Sequence, residues 1–146
     1  MISSQVDYPS IMLASELASI VGRDNVSTRE TDKLVYSCDY YWVPRLWIDR
    51  GRACSTPDVV VHVENKEQIS LVLQLANQHR IPVVPWGGGS GSQGGALPIR
   101  GGIILDLKKM SRILEINPQS MTYTAECGII QQALEWELNR HGYSTM

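Results

Sequence analysis

Apolar residues recur along this chain with two spacings, and the changes between them mark its elements. In residues 11–21, Leu13, Leu17, Ile20 and Val21 form one stripe at helical spacing, with Ser10 before it and Gly22 after it. A helix with Ser10 as N-cap and Gly22 as its C-terminal stop is therefore predicted. A shorter helix is predicted over residues 31–37. The stretch Tyr40-Tyr41-Trp42-Val43-Pro44-Arg45-Leu46-Trp47 is aromatic, aperiodic and interrupted by a proline, and it reads as an ordered loop.

From Pro57 the pattern sharpens. Val59-Val60-Val61-His62-Val63 is a run of β-branched residues opened by Pro57-Asp58, as in a buried strand. Asn65 then caps a helix whose apolar positions are Ile69, Val72, Leu73 and Ala76, with Glu67 in the first turn and His79-Arg80 in the last. Ile81-Pro82-Val83-Val84-Pro85 returns as a second strand. Strand, helix and strand of these lengths make a βαβ unit with parallel strands. After a glycine-rich segment, residues 103–107 read as a strand, and residues 113–116 and 122–126 close a small meander around the turn Asn117-Pro118-Gln119-Ser120. Gly128 leads into a last helix with Ile130, Leu134 and Leu138 on one face and Gly142 beyond its end. The expected fold class is α+β: a βαβ start, a small mixed sheet, and flanking helices. Residues 1–55 form a helical and aromatic segment, and residues 56–146 carry the candidate chemistry.

Composition narrows the function classes. The chain has 146 residues, 43% hydrophobic and 19% charged, which fits one soluble globular domain. Thirteen basic and fifteen acidic residues leave a net charge of −2. No basic run points to nucleic acid. No apolar stretch reaches the ~18 residues of a membrane span, and the first residues lack the charged and apolar regions of a secretory signal. Cys38, Cys54 and Cys127 show no C-x-x-C spacing, and His62, His79 and His141 are scattered. Neither a disulfide framework nor a metal site is expected, and a reducing cytoplasm is the simplest home.

The strongest local signal is Trp86-Gly87-Gly88-Gly89-Ser90-Gly91-Ser92-Gln93-Gly94-Gly95. Six of the nine residues from Gly87 to Gly95 are glycine, out of twelve in the chain. Ordering each costs backbone entropy that something must offset. Glycines let successive N–H groups converge on an anion, and they let a ligand oxygen reach the backbone. Between Trp86 and Ile99 there is no Lys, Arg, Asp or Glu. An anion here would be held by amide dipoles and by the hydroxyls of Ser90 and Ser92. Hydrogen bonds to a charged group contribute roughly 1.5–3 kcal/mol each, so four or five could hold a pyrophosphate. A flexible Gly/Ser linker and a wide turn without a ligand are the competing readings.

Two familiar motifs fail on context. Gly89-Ser90-Gly91-Ser92-Gln93-Gly94 spells G-x-G-x-x-G, but a Rossmann fingerprint must open a helix, and Ala96-Leu97-Pro98-Ile99-Arg100-Gly101-Gly102 runs instead into a strand. No G-K-[ST] ends the glycine run, so it is not a P-loop.

Several segments together resemble one family: Pro57-Asp58-Val59-Val60-Val61, Leu75-Ala76-Asn77, Ile81-Pro82-Val83-Val84-Pro85, the glycine segment, Ile104-Leu105-Asp106-Leu107 with Met110, and Thr124-Ala125-Glu126-Cys127-Gly128. They resemble the FAD-binding domain of the vanillyl-alcohol oxidase (p-cresol methylhydroxylase-type) flavoproteins, with glycolate oxidase and D-lactate dehydrogenase-like members nearest. The resemblance covers roughly residues 57–143. It implies FAD as cofactor, with the glycine segment around its pyrophosphate, and Trp86, Gly87, Gly88, Gly89, Ser90, Gly91, Ser92 and Gly95 as cofactor contacts. Gly128 is expected near the cofactor as well. Trp86 stands where many members have arginine. Ser90 stands where covalently flavinylated members of one branch carry histidine, so FAD is expected to be non-covalent. A side chain at Gly89 is expected to push into the phosphate. The family's second half and its substrate domain lie beyond residue 146, so the chain is expected to be an N-terminal piece, and no catalytic residue is named.

The parent is then expected to oxidise a small hydroxy acid or alcohol. A non-catalytic nucleotide- or phosphate-binding module, or a fragment that binds nothing, are the alternatives. Outside the loop, Asp106 reads as a structural turn or solvated acid, Glu126 as a cap or surface acid, and Cys127 as a small buried hydrophobe. His62 reads as an edge or hydrogen-bonded residue, and residues 40–47 as packing or a contact surface.

Overall fold

A computed structural model describes residues 8–145. The elements in chain order are α1 (Ser10–Val21), a 3-10 turn (Arg23–Asn25), β1 (Val26–Ser27), α2 (Glu30–Val35), α3 (Trp42–Asp49), β2 (Val59–His62), α4 (Lys66–His79), β3 (Val83–Trp86), β4 (Ile103–Asp106), β5 (Ile113–Asn117), β6 (Thr122–Ala125) and α5 (Gln131–Arg140). Four strands form one sheet in the order β1-β2-β4-β3. Strand β4 is parallel to both β2 and β3, and β1 runs antiparallel to β2. The βαβ unit and its parallel strands are as the sequence predicts, except that β4 inserts between the two. Strands β5 and β6 pair only with each other, so they make a separate hairpin rather than a meander continuing the main sheet.

Period-two alternation divides the buried strands between two packing faces. Val59, Val61, Ile103 and Leu105 meet Leu13, Leu17 and Val21 of α1 and Val72 and Ala76 of α4. Val60, Ile104 and Trp86 face the other way and pack on Tyr36, with Val84 and Ala96 at their margin. The parallel strands also end in register, with His62 opposite Asp106 and Trp86 opposite Asp106. That row faces the second layer, where the chemistry lies.

Local signals account for most helix ends. The Asn65 side chain accepts from the Gln68 amide at 2.9 Å, and the Gln68 side chain accepts from the Glu64 amide at 2.8 Å, closing the start of α4 reciprocally. Helix α1 differs from expectation: Pro9 is its N-cap, no side chain caps it, and Ser10 is its first helical residue. The Leu13 amide donates to the Pro9 carbonyl at 3.1 Å, so the first helical hydrogen bond already reaches Pro9, whose missing amide costs nothing at a helix start. Residues 42–47, part of the stretch expected as a loop, instead belong to α3. Pro44 sits in its first turn, where an amide has no intrahelical partner to lose. Leu73 of α4 and Ile130 before α5 are exposed, while Leu134 and Leu138 are buried as expected. Arg112 clasps Glu126 through Nε at 3.0 Å and Nη2 at 2.6 Å, closing the open end of the β5–β6 hairpin and holding the Glu126 carboxyl below its usual range. Cys127 is exposed, against the expectation that it is buried.

Candidate functional site at the carboxyl ends of the parallel strands

The glycine segment leaves the end of β3, where Trp86 stands opposite Asp106 of β4, and passes over the Trp86 side chain. In open parallel sheets this end, at a point where strand order jumps, is where ligands bind. Here the order changes from β3 at the edge to β4 in the middle of the sheet.

The loop rests on a shelf built by residues 36–41. The Tyr40 amide donates to the Gly89 carbonyl at 2.9 Å, and a side chain at Gly94 would meet the Tyr41 ring at 3.0 Å. Trp86 is buried, and its indole lies edge-on to the Tyr36 ring with centroids 5.0 Å apart. The Trp86 side chain is thus a floor under the loop. A Cβ on Gly89 would lie 2.6 Å from the indole Cζ2, on a residue whose φ is +66°. The expectation that it would push into a phosphate is corrected: that direction is filled by Trp86.

The remaining glycines behave differently. Nothing lies within 4 Å of where a Cβ would sit on Gly87 or Gly95, and neither has positive φ. Neither backbone conformation nor a packed neighbour requires glycine at these two positions. Ser90, Gly91 and Ser92 are exposed along the rim. A Cβ on Gly88 would lie 3.6 Å from Ile130 Cδ1, so the start of α5 borders the loop, and that start carries no side-chain cap. Gly128, expected near the cofactor, is buried two residues before Ile130, and its amide donates to the Met110 carbonyl at 2.9 Å. Its lack of a side chain is required by the Leu107 carbonyl, against which any Cβ would collide.

Below the loop lies a buried polar cluster. Asp106 is fully buried, so it is not a solvated acid. Its carboxylate accepts from the Tyr36 hydroxyl, from the Lys108 amide at 2.8 Å, and from Lys108 Nζ at 3.1 Å, with His62 Nδ1 at 3.5 Å. A carboxylate this deep is tolerable only with such partners. Burial and the adjoining carboxylate push the Tyr36 phenol well above its ordinary range. Tyr36→Phe leaves the acid short of one donor and is expected to cost about 2–3 kcal/mol in urea unfolding. The sign of its pH dependence follows from the raised phenol. That stabilisation is complete below pH ~10, where tyrosine ionises in the unfolded chain, and fades as pH rises toward the folded value. The variant should lose this alkaline decline. A melting curve unchanged by the substitution would contradict the cluster's structural role.

Sequence reasoning passed over Tyr36 and Asp39, because nothing local ties them to a loop some fifty residues away; Tyr41, read within 40–47 as packing or a contact surface, packs against Gly94 of the loop. No group of metal-ligating side chains occurs among the described residues, and no described helix is long and apolar enough to cross a membrane.

Residues 57–146 match the family described as FAD binding domain. The chain is 35% identical to glycolate oxidase subunit GlcD of Bacillus subtilis (strain 168) over 115 residues, covering 79% of this chain and 23% of that protein. It is 34% identical over 136 residues to the uncharacterized FAD-linked oxidoreductase YgcU of Escherichia coli (strain K12), covering 91% and 28%. Among solved structures, p-cresol methylhydroxylase with substrate bound superposes with a TM-score of 0.76 at 25% identity, over 90% of this chain and 25% of that one. Alkyldihydroxyacetonephosphate synthase superposes at 0.84 and 22% identity, over 94% and 26%, a likeness of fold. The chain thus spans about a quarter of the length of these relatives. By the family match, the chain belongs to the FAD-binding domain family of the p-cresol methylhydroxylase-type flavoproteins, and FAD is the cofactor of this domain.

Proposed function

We propose that Trp86, Gly87, Gly88, Gly89, Ser90, Gly91, Ser92 and Gly95 carry the diphosphate of a non-covalently held FAD. The main-chain amides supply the contacts, and Ser90 and Ser92 add hydroxyls. The single observation that carries this reading is the empty space beside Gly87 and Gly95, two glycines that neither backbone conformation nor packing requires. Trp86 contributes through its position and its backbone, since its ring is committed to the floor. Residues 56–146 are read as the first part of the FAD-binding domain.

The activity proposed for the whole protein is oxidation of a small hydroxy acid or alcohol by the flavin. Support comes from the names of similar proteins, a glycolate oxidase subunit and a probable mitochondrial D-lactate dehydrogenase of Danio rerio at 30% identity. A cytoplasmic setting fits the three free cysteines.

Flavin fluorescence titration of the purified protein tests the diphosphate reading. Four or five charge-assisted hydrogen bonds predict a Kd of about micromolar or tighter, with inorganic pyrophosphate displacing FAD competitively. FAD binding that pyrophosphate does not disturb would argue that the diphosphate sits away from an anion-accepting loop. Release of the flavin on denaturation checks the non-covalent attachment.

A further inference from the structure

The shelf beneath the loop holds one unexplained atom. Asp39 is 4% exposed, and its Oδ1 accepts from the Tyr41 amide at 3.0 Å. Its Oδ2 is buried with no hydrogen-bond partner among the described residues. A buried acceptor without a donor is costly, and more so when the group carries charge. This oxygen faces the loop: a Cβ on Gly91 would lie 3.8 Å from it.

The surroundings define what could satisfy it. The loop is pinned on either side of this point, by the Tyr40 amide on the Gly89 carbonyl and by the packing of Gly94 on Tyr41. Between the pins, residues 90–93 are exposed. Asp39 Oδ2 lies under this span as an acceptor already fixed in place. A diphosphate is a poor direct partner, because two anions repel in a partly dry site. The loop's own donors, the amides of residues 90–92 and the two seryl hydroxyls, are suitable.

We propose that Asp39 is a positioning residue for the diphosphate loop: a donor from residues 90–92 closes onto Oδ2 when the anion binds. The inference rests on the diphosphate reading above. Turning one donor of the span down onto the carboxylate fixes the peptide planes beside it, so that the neighbouring amides face the ligand. The loop then pays its ordering entropy only with the anion present.

Asp39→Asn tests this. Asparagine retains an oxygen for the Tyr41 amide but presents an NH2 group where Oδ2 was, and that group cannot accept. FAD and inorganic pyrophosphate are both expected to bind about 10- to 100-fold more weakly, the equivalent of one charge-assisted hydrogen bond. The ligand-free melting temperature should hold. Hydrogen exchange gives a readout that a purely structural role would not move: pyrophosphate should protect amides 90–92 in the wild type and leave them unprotected in the variant. Gly91→Ala is the second variant, should Asp39→Asn fail to fold. It leaves Asp39 intact while a methyl, in van der Waals contact with Oδ2 at 3.8 Å, stands in the way of any closer approach of the span to the carboxylate, and the same loss of protection is expected. Unchanged affinity and protection in a folded Asp39→Asn would overturn the inference alone, as would a fallen ligand-free melting temperature with protection retained. Wild-type protein that takes up neither FAD nor pyrophosphate would overturn the diphosphate reading, and this inference with it.

Discussion

Replacing Gly102 with alanine is expected to cost roughly 3–5 kcal/mol, a large part of the 5–15 kcal/mol that holds a typical domain together. Gly102 is buried just before β4 with φ +80°, a conformation that an L side chain adopts only with strain. A Cβ there would collide with the Pro82 carbonyl oxygen. That oxygen cannot swing away like the end of a flexible side chain, because it accepts the Ile103 amide at 2.8 Å and so ties the strand entries of β3 and β4 together. The other side of the glycine is equally committed. Its amide donates to Asp58 Oδ2 at 2.6 Å, and its carbonyl accepts the Asp58 amide at 2.8 Å. One residue therefore joins the beginnings of all three parallel strands, and relief of the clash would unzip two of the junctions. Urea unfolding followed by far-ultraviolet circular dichroism should show a much lower midpoint with an unchanged slope. A midpoint close to wild type would mean that the strand entries are more adaptable than these contacts allow.

The same residue shows what could be read from the chain alone. Gly101-Gly102 served at that level only to argue that no helix follows the glycine segment, which is correct. Its role in joining the strand entries depends on Asp58 and Pro82, far apart in sequence. Parallel strands and the helix between them were legible because burial on both faces leaves a run of β-branched residues, and one buried helical face leaves a 3.6-residue period. Strand order was not. The valines of β2 read alike whether β3 or β4 lies beside them, and only the assembled sheet shows β4 in the middle with every residue buried. Pro44 concealed α3, because proline ends a helix from within but is tolerated in its first turn. Asp106 looked like a turn acid because its partner Tyr36 is seventy residues upstream. In the loop, the glycine count was visible but the direction of each absent side chain was not. Gly89 and Gly94 are glycine because of the tryptophan and tyrosine below them. Gly87 and Gly95 have no such neighbour, so only part of the segment owes its glycines to packing.

That division gives the prediction with the largest functional effect. Gly87→Val should leave the fold nearly untouched and reduce FAD affinity by at least about 100-fold. Gly87 lies outside the left-handed region, and no atom stands within 4 Å of its absent Cβ. The protein should accept the side chain within the roughly ±0.5 kcal/mol usual for a surface change. A branched side chain beside this backbone would hold a phosphate oxygen beyond hydrogen-bonding distance and cover the neighbouring amide. Losing two charge-assisted hydrogen bonds of about 1.5 kcal/mol each already exceeds the 2.8 kcal/mol of a hundredfold change. Gly89→Val provides the contrast. Its side chain strikes Trp86, which packs with Tyr36, Val60 and Ile104, so weaker FAD binding there should come with a lower melting temperature. Measuring Kd and ligand-free melting temperature for both variants separates a ligand-facing glycine from a scaffold-facing one. If Gly87→Val keeps its flavin at wild-type affinity, the space beside it is not where the diphosphate lies, and the loop owes its glycines to the shelf beneath it.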